Sequence, residues 1–125
     1  MTLGIQKVGQ VSINVRDLQR AIAFYRDVLE LQYVWQTNGM AFFTCGEVRL
    51  MLGTPEDPNF DHPSSVLYYS VDDIQAAFHV LSTRGVMFHG PPHEIGKLGD
   101  IAVWMAFFTD SEGNTVAIQS EVPAV

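Results

Sequence analysis

Four histidines, one cysteine and seven Lys or Arg side chains supply the chain's imidazole, thiol and cationic chemistry. Their spacing matches no local catalytic motif. His62, His79, His89 and His93 form no His-x-Glu-x-x-His array, and a lone Cys45 cannot make a Cys-x-x-Cys pair. Cys45 closes the apolar run Phe42-Phe43-Thr44-Cys45-Gly46 and reads as a buried small side chain rather than a nucleophile. Ser12, Ser64, Ser65 and Ser70 lack a Gly-x-Ser-x-Gly elbow and an identifiable base, and no glycine-rich phosphate loop follows a strand. Arg49 is the cation with a demand of its own: pointed inward, its guanidinium needs an anion, whether a ligand, Glu47 or Glu121.

Bulk properties narrow the partners. Fourteen acidic against seven basic residues give a net charge of -7, which repels phosphate backbones, so no nucleic acid is expected. No apolar run approaches the roughly 18–20 residues of a membrane span, and residues 1–7 lack a signal-peptide core. A cytoplasmic location without membrane contact is therefore the expectation. With 125 residues, 47% of them hydrophobic, the chain is expected to form one domain with one core.

The elements that must position these groups come in two similar sets. Val11, Ile13 and Val15 alternate with polar neighbours as a strand does, and Asp17 then caps a helix with the stripe Leu18, Ile22, Tyr25 and Leu29. Leu67, Tyr69 and Val71 lead likewise into Asp72-Asp73 and a helix carrying Ile74, Ala77, Phe78 and Leu81, stopped at Gly85. At one constant offset Val15 meets Val71, Asp17 meets Asp73, Gln19 meets Gln75 and Ala21 meets Ala77. His79 falls on the far face of the second helix and His62 in the connector, so both are expected to be exposed and inert. Strands are predicted after the first helix at 32–36, 41–44 and 48–52, and after the second at 86–89, 103–108 and 115–119. The order is β-α-β-β-β twice: module 5–53, a Pro-rich linker 54–63, and module 64–121.

This duplicated order, the segment Asp17-Leu18-Gln19-Arg20-Ala21-Ile22-Ala23-Phe24-Tyr25-Arg26-Asp27-Val28-Leu29 and the ending Phe107-Phe108-Thr109-Asp110-Ser111-Glu112-Gly113-Asn114 resemble the vicinal-oxygen-chelate superfamily of glyoxalases, bleomycin-resistance proteins and extradiol dioxygenases, over residues 5–121. The resemblance implies an α+β fold of duplicated βαβββ modules whose curved mixed sheets form a cavity. It also implies a homodimer, with modules paired within one chain or across two. Metal-dependent relatives hold an ion from the first and last strands of each module, and those slots align here with Gln10, Met51, Val66 and Ala117. Glutamine is permissive there, Met51 or Arg49, two residues earlier on the same strand face, is a poor ligand for a hard cation, and valine and alanine have no side-chain donor atom. No metal and no other cofactor is expected. Alternation suggests that Gln10, Ser12, Asn14, Arg49, Met51, Val66, Tyr68, Ala117 and Gln119 line the cavity, joined by Trp104 and Phe108 from the penultimate strand. His93 belongs to a loop, 90–96, expected to cross near the cavity mouth. Two functions follow: a metal-independent protein that binds and sequesters a small organic molecule, or a glyoxalase-like lyase, isomerase or dioxygenase with a degenerate site.

Overall fold

A computed structural model describes residues 2–124. The chain divides into two compact units, one ending at Ser64 and the other beginning at Ser65. The first runs β1 (Gln10–Asn14), α1 (Leu18–Ala23), β2 (Gln32–Thr37), β3 (Met40–Cys45) and β4 (Val48–Gly53). The second runs β5 (Leu67–Ser70), α2 (Ile74–Thr83), β6 (His93–Leu98), β7 (Ile101–Thr109) and β8 (Thr115–Pro123). Each unit is an open, mixed, four-stranded sheet with one helix, in the orders β1-β4-β3-β2 and β5-β8-β7-β6. The first strand of each pairs parallel with the last, and the remaining pairs are antiparallel. The fold is thus α+β with a duplicated module. Among the described residues no helix is long and apolar enough to cross a membrane.

The duplication extends to atomic detail at the helix starts. Asp17 (φ -126, ψ 104) accepts from the Arg20 backbone N–H, and Asp73 (φ -124, ψ 100) accepts from that of Ala76, each satisfying a donor the helix cannot. Asp73→Ala is expected to cost about 1 kcal/mol in urea unfolding, and Asp73→Asn a few tenths. A loss as large for Asn as for Ala would exclude the cap as the cause.

Helix α1 does not keep its period. It widens into a π-helical turn at Phe24–Val28, where the Leu29 N–H reaches the Phe24 carbonyl at 3.0 Å. Ile22 and Tyr25 are buried, while Leu18 and Leu29, assigned to the same stripe, are only partly covered. The core of the first unit joins these to Ile13, Val15, Phe43, Leu50 and Leu52 on one face of its sheet. In the second unit Phe78, Phe88 and Phe108 form a chain of rings, with centroids 4.6 and 5.3 Å apart, from α2 to β7.

Two expectations about the second unit are corrected. Residues 86–89 form no strand, only an isolated bridge from Phe88 to Phe108, and the pairing strand is β6, at His93–Leu98. The prolines Pro91 and Pro92 lack N–H donors and separate the bridge from the strand. His93 therefore sits on a strand rather than in a loop. Cys45 is half-buried rather than fully buried.

Candidate functional site

Register decides which side chains share a face, because directly paired residues point the same way. In the first unit Gln10 pairs with Arg49, Ser12 with Met51 and Asn14 with Gly53. Across β3 these continue to Thr44, Phe42 and Met40. This is the face not used by the core residues Ile13, Leu50, Leu52 and Phe43. A register shift between Tyr33 and Trp35 then turns Trp35 onto the same face, opposite Phe42.

The face is built like a shelf for a flat molecule. Trp35 stacks on Phe42 with centroids 5.6 Å apart and planes 19° from parallel, yet Trp35 remains 54% exposed. The Arg49 guanidinium lies 5.7 Å from the Phe42 centroid, within cation–π range. Met40 and Met51 add polarizable, adaptable surface. A hollow of about 450 Å³ is bounded by Gln10, Ser12, Met40, Met51, Glu56 and Phe60, among others. Gln10 and Arg49 also border a second hollow of about 460 Å³. Along β1 from Gln10 to Asn14 the shelf is about 13 Å long, given the usual rise of a strand.

Its polar ends differ. The Arg49 Nε donates to Gln10 Oε1 at 2.7 Å, and its terminal amino groups have no protein partner among the described residues. Neither Glu47 nor Glu121 forms an ion pair with it. Asn14, by contrast, is spent on structure: its amide donates to the Phe60 and His62 carbonyls, both at 2.6 Å, and its backbone N–H to Ser64 Oγ. It ties the connector over the end of β1. Asn14→Asp turns two donors into acceptors facing carbonyls, so about 2 kcal/mol of unfolding stability is expected to be lost. An unchanged urea midpoint would show that these bonds are not maintained in solution.

In the second unit Tyr68 and Phe107 both pair with Ala117, and Ser70 and Met105 both pair with Gln119. Tyr68 meets Phe107 edge-on at 5.8 Å, Gln119 donates to Ser70 Oγ at 3.2 Å, and the exposed His93 stands opposite Met105. Val66 lies just before β5 and is 38% exposed, whereas Ala117 is fully buried. Trp104 and Phe108 belong to the other face: they pair with Ser120 and Val116, and Phe108 is completely buried against Phe88. Their place beside Ala117 is taken by Met105 and Phe107. In the first unit Trp35, Met40 and Phe42 also belong to the face, which strand alternation in the sequence does not show.

The residues do not suit the divalent ion the superfamily implies. Gln10 Oε1, the one oxygen available among the four aligned positions, already accepts from a guanidinium. Met51 offers a thioether to the Gln10 amide at 3.8 Å, and Val66 and Ala117 offer nothing. Among the described residues no three His, Cys, Asp or Glu side chains gather as a cation would require.

Comparison with known proteins agrees with the architecture. The sequence profile of the Glyoxalase/Bleomycin resistance protein/Dioxygenase superfamily matches residues 7–118, and the chain belongs to that superfamily. It is 25% identical to the uncharacterised protein YraH of Bacillus subtilis, over 90% of this chain and 96% of that one. Among solved structures it resembles TnmS3, an antibiotic binding protein from a Streptomyces species, with a TM-score of 0.77 and 22% identity over 97% of this chain and 100% of that one. It also resembles a lactoylglutathione lyase from Agrobacterium tumefaciens, with a TM-score of 0.73 and 22% identity over 94% and 95% of the two chains. At these identities the structural likeness shows the fold.

Proposed function

We propose that the protein binds and holds a small planar aromatic molecule bearing an acidic group, without using a metal. The observation that carries this reading is the exposed Trp35–Phe42 stack with Arg49 on the same face, its terminal amino groups free to pair with a carboxylate or sulfonate. Ring surface and thioethers supply affinity that tolerates variation in the ligand, and Arg49, Gln10 and Ser12 orient it. The antibiotic-binding relative of like fold supports sequestration more than turnover. Tyr68, Phe107 and Gln119 occupy the corresponding face of the second unit. We read the protein as a cytoplasmic homodimer, in keeping with its superfamily, which light scattering after gel filtration checks directly.

Anthraquinone-2-sulfonate has the required shape and charge. It should quench tryptophan emission saturably, with a dissociation constant on the order of micromolar. Uncharged anthraquinone should bind about tenfold more weakly, the worth of one charge-assisted contact. Equal affinity for the two would remove Arg49 from the recognition scheme, and no binding by either would defeat the proposal.

A further inference from the structure

A separate hollow of about 370 Å³ lies on the helix-covered face of the second sheet, where α2 begins, bordered by Asp72, Asp73, Ile74, Trp104, Ser120 and Val122. Trp104 and Ser120 are register partners, so they stand side by side on its floor. Ser120 is only 2% exposed, and its hydroxyl makes no hydrogen bond among the described residues. That oxygen is not sealed from solvent but opens onto the hollow, where a ligand atom can pair with it. Trp104 is half-buried and presents indole surface to the same space.

The rim sets the sign of that ligand. Asp72 and Asp73 are adjacent and exposed, and neither has a cationic partner among the described residues. Asp73 gives Oδ1 to the Ala76 N–H, so the positive end of α2 is already answered, and Oδ2 remains. An anion entering here would meet two carboxylates. A cation would meet two carboxylates, an indole and a hydroxyl oxygen able to accept. We propose that this hollow binds a primary ammonium group, independently of the aromatic shelf on the first unit.

The test titrates the Trp35→Phe variant of the 125-residue chain, whose sole remaining tryptophan is Trp104, with n-butylammonium chloride at low salt. A saturable change in emission is expected, with half-saturation on the order of millimolar. Asp72→Asn with Asp73→Asn keeps a capping side chain and should weaken binding at least tenfold. Ser120→Ala should weaken it several-fold. Tetramethylammonium has the charge but no N–H to donate, so it should bind several-fold more weakly than n-butylammonium. Absence of saturation, or affinity unchanged by the double substitution, would overturn the proposal. Equal binding of both cations would overturn the assignment of the hollow to a primary ammonium group. Should the double variant fail to fold, the comparison of the two cations on the Trp35→Phe chain decides.

Discussion

Trp35→Ala is expected to weaken binding of anthraquinone-2-sulfonate about thirtyfold, the equivalent of about 2 kcal/mol for a central aromatic contact. It should leave thermal stability nearly unchanged. Both halves follow from the register shift in β2, which places the indole on the face opposite the core, flat on Phe42 and more than half exposed. An exposed ring contributes little to folding but offers much of its surface to a planar ligand. Calorimetry with the same probe separates the outcomes. A thirtyfold loss with an unchanged melting temperature supports the shelf. An unchanged affinity would mean that the ligand lies elsewhere, and a large drop in stability would mean that Trp35 is part of the core.

The neighbouring pair Phe42-Phe43 gives the second large effect, with the opposite division. Phe43→Ala should cost about 3–5 kcal/mol in urea unfolding, because it removes a fully buried ring and leaves a cavity. That ring lies 5.5 Å from Tyr33 on β2 and 6.2 Å from Tyr25 in the π-helical turn after α1, linking both to β3. Against a total stability of about 5–15 kcal/mol, the variant is expected to be marginal. Phe42→Ala should cost under about 1 kcal/mol while abolishing the stack beneath Trp35, so its loss appears in binding. If the two substitutions destabilised equally, the assignment of faces on β3 would be wrong.

The sequence made some of these positions legible and concealed others. In β1 the apolar residues Val11 and Ile13 alternate cleanly with Gln10, Ser12 and Asn14, because one side faces the core and the other does not. The capping aspartates Asp17 and Asp73 marked the repeat because both helices require the same donor to be satisfied at the same place. Strand β7 carries no such alternation: Ala102, Val103, Ala106 and Phe108 are all buried, and the residues between them are mostly apolar. Alternation alone therefore does not separate Trp104 and Phe108 from Met105 and Phe107. Counting back across the hairpin from Ala117 reaches Phe107, a signal present in the turn Asp110–Asn114. The bulge that turns Trp35 has no such marker, since Gln32–Thr37 reads as an ordinary strand. The π-helical turn in α1 is likewise invisible to a pattern with a fixed period of 3.6 residues.

On the proposed reading recognition needs no divalent ion, and Arg49 already donates to the one side-chain oxygen among the aligned positions. The most direct measurement is the affinity for anthraquinone-2-sulfonate after exhaustive chelation, repeated with nickel, zinc, iron(II) or manganese restored in turn. The same dissociation constant throughout, with Arg49→Ala weakening it about tenfold in every case, is the predicted result. Binding that appears only when one of these ions is returned would contradict it.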